Sequence, residues 1–356
     1  MAATSVVPEH RRGRTLFMVW GPPSHGPRSR VFASALGVPI EFVFSTMRRG
    51  LLIAPWKYGR QALSSIALLI RRRPEVVFVQ SPPSFAVLFA WLYGLFSGAR
   101  FVVDAHSGAM MSRYWTRPRW LNRFLARRAL ATIVTNERFA ARIRSWGGRA
   151  IVLRDIPTTF ETDQPLPRDE RFSVLVVSTF APDEPLEAII EAASRLPEAH
   201  FYVTGNLRRA DPRLVAAPPE NLEFTGYVED GAYYATMKDS DAVMCLTTRD
   251  DTMQRGACEA LSLARPIITS DWQLLRDYFA KGTVHVAATA DEIVRGVRAM
   301  ISDHERFRRE IEELQDDQKR EWGKASAELA RLLTEGDEVT PTGGRGNTPG
   351  IGISDT

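Results

Sequence analysis

Cysteines and long apolar runs are scarce in this chain of 356 residues. The two cysteines, Cys245 and Cys258, exclude a disulfide-stabilised scaffold and are typical of a reducing compartment. The most apolar stretch, FAVLFAWLYGLF, spans only residues 85–96, whereas a helix needs about 20 apolar residues to cross a bilayer. It is therefore expected to form a buried or interface-seeking helix. No Cys/His pattern has metal-ligand spacing, so no metal site is predicted.

Acidic residues are scarce in the first half of the chain. Residues 1–165 contain 24 Lys and Arg but only 8 Asp and Glu, a net charge of +16, whereas the remainder carries −12. This asymmetry indicates an anionic partner for the first half, although solvated arginines on helix faces are a simpler alternative. No nucleic-acid recognition motif accompanies the arginines, so nucleic acid is not predicted and an anionic membrane surface is favoured.

Short runs rich in Val, Ile and Phe alternate with helical stretches along both halves. They lie at 15–20, 41–45, 76–80, 101–106, 131–136 and 150–155, and again at 172–179, 200–205, 222–226, 242–247, 266–271 and 284–288. Such runs are typical of strands buried on both faces, and their alternation with helices predicts parallel sheets. We therefore predict an α/β fold with two doubly wound Rossmann-like domains facing across a cleft.

Composition suggests where these domains begin and end. Residues 157–171 are polar and Pro-rich, and the strand pattern restarts after them. The predicted organisation is a disordered N-terminus at 1–13, a domain at 14–160, a linker at 161–171, a second domain with closing helices at 172–335 and a disordered tail at 336–356.

Polar loops after the strands of the first half are candidate site residues, because ligands bind outside the carboxyl ends of parallel strands. Ser24, His25 and Arg28 follow the first strand in a loop that either contacts substrate or is only a Pro-rich connection. Asp104 and His106 end the fourth strand on one face. A carboxylate beside an imidazole can act as a general acid–base or orienting pair.

Strand-end loops of the second half carry anion-binding candidates. Ser178 and Thr179 end its first strand, and Arg208 and Arg209 follow the next one in a glycine-bearing loop that suits a phosphate. The segment LTTRDDTMQRGACEALSLARPIITSD, residues 246–271, predicts a strand end, a polar loop, a helix and a strand.

Glu259 is the unusual residue of that segment, because its neighbours are small or apolar. If the helix begins near Met253, its first amides favour an anion. A carboxylate two turns further on would be costly to bury unless it were paired, and the diol of a ribose is one suitable partner.

The segment 246–271 resembles the acidic E-x7-E signature of retaining, family-4-like GT-B glycosyltransferases, present here as Asp251 and Glu259 followed by EALSLARPII. The stretches VVFVQSPPSFAVLFAWLYGLFSGARFVVDAHSG (76–108) and STFAPDEPLEAIIEA (178–192) are similar to the β-mannosyltransferase group that extends chitobiosyl-diphosphodolichol, and to its prokaryotic relatives. The resemblance covers about residues 14–335.

This resemblance implies transfer of a hexose from a nucleotide-diphosphate sugar to a lipid-linked or polysaccharide-precursor acceptor, without a metal or other cofactor. Glu259 would bind the donor ribose, Asp251 would lie near the donor sugar, and His106 with Asp104 would serve the reacting centre. The resemblance also implies that Met253, Gln254, Arg255 and Gly256 contact the donor. The strand-end loops add Ser178, Thr179, Arg208 and Arg209 as donor contacts, and Ser24, His25 and Arg28 as acceptor contacts.

The sequence departs from the family pattern in one loop. Typical members place an Arg and a Lys after the first strand of the second domain, whereas STFAPDEP carries Asp183 and Glu184. Positive charge for a diphosphate would then come from Arg208, Arg209 or Arg255.

Basic and aromatic residues mix at 47–74 and 110–128, which suits an interfacial surface. We therefore expect a cytoplasmic enzyme that associates peripherally with the inner face of the membrane. Two alternatives stay open: a non-catalytic partner that recruits another glycosyltransferase, and another GT-B enzyme such as a nucleotide-sugar epimerase. A phosphorylase would need a lysine for a pyridoxal cofactor, and it is disfavoured because no lysine of the second domain lies at an apparent strand-end site.

Overall fold

The computed structural model describes residues 6–23, 27–46, 53–112, 116–154, 158–250 and 252–335. The chain forms two compact units, Met1–Leu153 with Lys324–Thr356, and Arg154–Gly323. Each unit contains a six-stranded parallel sheet with helices between the strands, which confirms the predicted α/β class.

The first unit contains the strands β1 (Thr15–Trp20), β2 (Ile40–Val43), β3 (Val76–Ser81), β4 (Arg100–Ala105), β5 (Ala131–Val134) and β6 (Ala150–Val152). Its helices are α1 (Glu9–Arg12), α2 (Pro27–Leu36), α3 (Ala54–Arg72), α4 (Ser84–Ser97), α5 (Ser107–Met111), α6 (Arg119–Arg128) and α7 (Glu137–Ser145). The strand order is β2-β1-β3-β4-β5-β6. The order therefore reverses between β1 and β3, which is the switch point of this sheet.

Both faces of the first sheet are covered, because right-handed crossovers place α2 on one face and α3, α4, α6 and α7 on the other. On one face the ring of Phe17 packs against Phe32, with ring centroids 5.8 Å apart. On the other, the ring of Trp20 stacks on Tyr58 and Phe89. Every residue of β1 is buried, as the apolar run predicted.

The second unit contains β7 (Phe172–Val177), β8 (Ala199–Thr204), β9 (Leu222–Gly226), β10 (Ala242–Cys245), β11 (Ile267–Ser270) and β12 (Thr283–Val286). Its helices are α8 (Leu186–Ser194), α9 (Pro212–Val215), α10 (Asp230–Asp239), α11 (Arg255–Ser262), α12 (Gln273–Tyr278), α13 (Ala290–Ser302) and the start of α14 (His304–Glu335). The order β12-β11-β10-β7-β8-β9 reverses between β7 and β10. That reversal is the second switch point.

Two features of the structure bear on the predicted domain limits. Glu9–Arg12 form α1 and Val7 is fully buried, although 1–13 was predicted to be disordered. α14 continues past Gly323 into the part that groups with the first unit, whereas 172–335 was predicted to be one domain. The domain limits stay predictions, and the predicted tail at 336–356 lies outside the described residues. In the ranges that the structure describes, no helix is long and apolar enough to cross a membrane.

Candidate functional site

Asp104 and His106 form a contact at the carboxyl end of β4. The strand ends at Ala105 and His106 precedes α5, so the pair forms at a strand–helix junction instead of along a continuing strand. Asp104 is 1% exposed, and its Oδ2 lies 3.0 Å from His106 Nε2. Its Oδ1 is buried without a hydrogen-bond partner. The pair therefore has a fixed orientation and an unused acceptor.

Electrostatics keep this carboxylate ionised. Burial would raise the pKa of Asp104, but the charge and hydrogen bond of His106 and the charge of Arg28 hold that pKa below its ordinary value. Arg28 is in the first turn of α2 and donates to the Leu153 carbonyl at 3.3 Å. The structure thus brings Arg28 into the electrostatic surroundings of the pair, while Ser24 and His25 lie outside the described residues.

The loop after β7 binds a carboxylate of its own. β7 ends at Val177, whereas the predicted strand extended to residue 179. Ser178 and Thr179 therefore belong to the loop. Glu184 accepts hydrogen bonds from the Ser178 hydroxyl at 2.6 Å, the Thr179 hydroxyl at 2.7 Å, and the amides of Thr179 at 2.9 Å and Ala181 at 3.3 Å. We call these four donors the β7 cradle. From the sequence, Glu184 was noted only as an acidic residue in a loop where typical family members carry an Arg and a Lys.

Asp183 joins the loop after β7 to the loop after β10. Its Oδ2 accepts from the Thr247 hydroxyl at 2.8 Å, and its Oδ1 lies 3.3 Å from Arg249 Nη2. Its carbonyl accepts from the Thr248 amide at 2.7 Å. Because β7 and β10 flank the switch point, these contacts hold both loops there.

Arg208 and Arg209 lie one strand away from that switch point. They are exposed in a single 3-10 turn, Leu207–Arg209, which follows β8. Gly205 precedes the turn with φ +147°, and a Cβ there would lie 2.4 Å from the Ser178 carbonyl oxygen. Glycine is therefore needed where the β8 loop approaches the β7 loop.

Helix α11 begins at Arg255, and its first turn lies against β7 and β10. A Cβ on Gly256 would lie 2.8 Å from both Cys245 Sγ and Val177 Cγ1. The glycine thus lets the helix approach the strand ends at the switch point. The amino end of a helix presents unpaired amides that favour an anion. Met253 and Gln254 precede the helix, and Asp251 lies outside the described residues.

Glu259 is 8% exposed on α11 and is paired with protein groups. The Tyr233 hydroxyl donates to its Oε2 at 2.9 Å, and Arg255 Nε donates to its Oε1 at 2.7 Å. The Tyr234 hydroxyl lies 3.5 Å from the same Oε1. The suggestion that a ribose supplies the partner for this buried carboxylate is therefore corrected, because side chains of α10 and α11 already do so. Whether Glu259 also binds a ribose stays a prediction.

Both tyrosines are held as proton donors. Burial raises the pKa of Tyr233 well above its ordinary value, and the nearby charge of Glu259 raises it further. The same causes raise the pKa of Tyr234 to about 12. The Tyr234 ring also stacks on Phe160, with centroids 3.9 Å apart. Sequence reasoning missed these tyrosines because they carry no motif.

No group of three or more His, Cys, Asp or Glu side chains that could hold a metal ion occurs within the described ranges. That a donor is bound without a metal or cofactor stays a prediction.

Two family models match the chain. The Glycosyl transferase 4-like domain matches residues 6–159, and the Glycosyl transferase-like model matches residues 183–335. The chain therefore belongs to the GT-B glycosyltransferase superfamily. No curated protein sequence matches it. The narrower likeness to the β-mannosyltransferase group and the E-x7-E type stay predictions.

Solved structures share this fold at low sequence identity. A sucrose-phosphate synthase from Thermosynechococcus elongatus has a TM-score of 0.63 and 13% identity, covering 92% of this chain and 100% of that one. A putative UDP-N-acetylglucosamine 2-epimerase from Listeria monocytogenes has a TM-score of 0.66 and 12% identity, covering 92% and 97%. Anabaena HepE, in complex with UDP and glucose, has a TM-score of 0.62 and 14% identity, covering 90% and 100%. At these identities the likeness shows the fold.

Proposed function

We propose that this chain moves a hexose from a nucleotide-diphosphate sugar to a lipid-linked or saccharide acceptor at a membrane surface. The second unit would bind the donor and the first unit the acceptor. The observation that carries the proposal is the second switch point, where Gly256 lets the amino end of α11 approach β7 and β10 and where Glu259 lies in the same helix.

Donor binding would exchange the partners of Glu259. Arg255 has a side chain 64% exposed, so a ribose hydroxyl can replace it on the carboxylate while the partly buried Tyr233 stays bound. The released guanidinium would then lie beside the amino end of α11, where it can neutralise a leaving diphosphate. Together with the exposed Arg208 and Arg209, it would replace the basic pair that typical family members carry in the loop after β7.

Acceptor activation would use the pair in the first unit. With His106 Nε2 donating to Asp104, Nδ1 is the nitrogen left to accept a proton from an acceptor hydroxyl. The hydroxyl oxygen then bonds to the anomeric carbon as the bond from that carbon to the diphosphate breaks. The buried carboxylate stabilises the imidazolium that forms. This assignment applies to a reaction that inverts the sugar.

A membrane surface is supported by exposed apolar side chains on three helices of the first unit. They are Trp56, Leu63, Ile66 and Ile70 on α3, Phe85, Leu95 and Phe96 on α4, and Trp120 on α6. On α3 a seven-residue spacing aligns three of them along one stripe. The α3 sequence has no acidic residue and ends in two arginines. Cations around an apolar stripe favour an anionic lipid surface at the inner face of the membrane over a second copy of the same positive surface.

A thermal-shift panel of UDP, GDP, ADP and dTDP tests the donor half of this proposal. A nucleotide at about 100 times its dissociation constant adds about 2.7 kcal/mol to the free energy of unfolding. We expect one nucleotide to stabilise the wild type and Glu312→Ala, which alters an exposed glutamate of α14, but not Glu259→Ala. If none of the four shifts the wild type, the transferase proposal fails.

Two rival functions predict other outcomes. The exposed apolar face of the first unit equally suits a non-catalytic partner that recruits a transferase, which would bind vesicles and give no nucleotide shift. An epimerase, which the fold also accommodates, would alter a nucleotide sugar in the absence of any acceptor.

A further inference from the structure

We infer that Glu184 is a built-in competitor for a donor phosphate: its carboxylate fills the β7 cradle and thereby weakens diphosphate binding. The inference rests on the proposed donor site in the second unit and names a residue that regulates it.

The cradle has the chemistry of an anion site. Oε1 of Glu184 accepts from the Thr179 hydroxyl at 2.7 Å and amide at 3.1 Å. Oε2 accepts from the Ser178 hydroxyl at 2.6 Å and the Thr179 amide at 2.9 Å, with the Ala181 amide at 3.3 Å. Converging backbone amides and hydroxyls of this kind bind carboxylate and phosphate oxygens alike. A phosphate could therefore take the same donors.

The position of the cradle is where a ligand of this sheet is expected. It follows β7, one of the two strands at the switch point. The backbone around it is held by the close approach of Gly205 to the Ser178 carbonyl and by the contacts of Asp183 with Thr247 and Arg249. Glu184 itself is half-buried, so its side chain can turn outwards while the donors stay in place.

Charge makes the competition effective. Asp183 is paired with Arg249, whereas every donor that the structure gives Glu184 is neutral. A diphosphate beside this carboxylate would meet uncompensated negative charge at short range, where the repulsion is large. A nucleoside diphosphate carries one more negative charge than the nucleotide sugar from which it derives. Glu184 would therefore weaken binding of the nucleoside diphosphate product more than binding of the donor, and would favour product release.

Calorimetric titration with inorganic pyrophosphate tests the cradle with a ligand that has neither a nucleobase nor a sugar. We compare the wild type with Glu184→Gln, which removes the charge, and with Glu184→Ala, which also frees the donors. Glu187→Ala is the matched control, because Glu187 is exposed on α8 three residues further along. We expect pyrophosphate to bind about tenfold more tightly to Glu184→Ala than to the wild type, with Glu184→Gln between them and Glu187→Ala unchanged.

Unchanged or weaker pyrophosphate binding by both Glu184 variants would overturn the inference and make Glu184 a support of the loop. If Glu184→Ala loses its near-ultraviolet circular dichroism, the titration of Glu184→Gln decides. The nucleotide panel separates this result from the proposed function. If the wild type binds a nucleotide but has the same pyrophosphate affinity as the Glu184 variants, only the competitor role of Glu184 is refuted. Tighter pyrophosphate binding in a protein that binds no nucleotide refutes only the transferase.

Discussion

Each unit buries a carboxylate near the strand ends of its sheet, and the two carboxylates are paired very differently. Asp104 has His106 on one oxygen and no hydrogen-bond partner on the other. Glu259 has Tyr233, Tyr234 and Arg255 around both oxygens. An unpaired buried acceptor costs about 1–3 kcal/mol, so native proteins retain few of them. The unpaired oxygen of Asp104 therefore lowers the stability of the fold. The paired Glu259 contributes to stability until a ligand exchanges its partners.

The two units also differ in the apolar side chains and the charge that they carry. Among the described residues, the first unit has ten exposed large hydrophobic side chains and the second has two, Leu207 and Tyr227. The first half of the sequence also carries the excess of positive charge. The unit with the incompletely paired carboxylate thus also exposes more large hydrophobic side chains and contains the basic half of the sequence.

The largest effect is expected at Asp104. Asp104→Asn removes the charge that orients and stabilises a protonated His106, and general acid–base catalysis is worth about 10²–10⁴-fold in rate. We expect hexose transfer to slow at least about 100-fold while nucleotide binding, assigned to the other unit, is unchanged. The measurement is transfer from the nucleotide sugar selected by the thermal-shift panel. Glu137→Gln, at an exposed position of α7, serves as the control. A rate within twofold of the wild type would remove Asp104 from the reaction.

Acidic substitutions on α3 test the contrast between the surfaces of the two units. In the variant Leu63→Asp with Ile70→Asp, two exposed apolar side chains of α3 become acidic. We expect binding to phosphatidylglycerol vesicles to fall at least about tenfold, because each lost apolar contact and each added repulsion weakens adsorption. Tyr227→Asp makes a similar change in the second unit and should leave co-sedimentation unchanged. Equal losses in both variants would show that the binding is not confined to the first unit.

Removing one partner of Glu259 sharpens the comparison of the carboxylates. Tyr233→Phe deletes the donor at 2.9 Å and leaves a buried carboxylate oxygen unpaired. We expect the free energy of unfolding to fall by about 1–3 kcal/mol in urea denaturation. Tyr234→Phe is the matched control, because its hydroxyl lies 3.5 Å away and should cost less than about 1 kcal/mol. If the two variants are equally stable, the Tyr233 hydroxyl does not stabilise Glu259.

Packing at the switch point gives an effect of similar size. Gly256→Ala would place a Cβ 2.8 Å from Val177 Cγ1 and push α11 away from the sheet, which costs about 1–3 kcal/mol. Gly59→Ala is the control, because a Cβ there meets no atom within 4 Å, and it is expected to stabilise α3 by about 0.5–1 kcal/mol. Thermal unfolding of both variants measures the difference. Equal shifts would mean that α11 does not need the close approach.

Local patterns predicted the elements of the fold well. Apolar runs marked all twelve strands, and the run predicted at 15–20 has the bounds of β1. The pair Asp104 and His106 was found because its members are two residues apart. The partners of Glu259 were missed because Tyr233 and Tyr234 come from α10, 25 or more residues earlier in the chain. Strand order decides such encounters, and a single sequence does not encode it in any local pattern.

The smallest effect is expected at an exposed carboxylate. Asp211 precedes α9, and hydrogen bonds from the Arg213 side chain and amide, with the charge of that residue, lower the pKa of Asp211 from 3.8 to about 2. Because the pKa is lower in the folded than in the unfolded state, its stabilisation is complete above about pH 4 and is lost as the pH falls towards 2. We expect Asp211→Asn to lower the Tm slightly at pH 5 and not at pH 2. The wild type in 1 M NaCl is the control, because salt screens an exposed pair. A Tm difference that stays constant across this range would mean that the effect does not come from ionisation. Asp104, a buried carboxylate whose pKa is lowered in the same direction, would then be the next group to test for acid sensitivity.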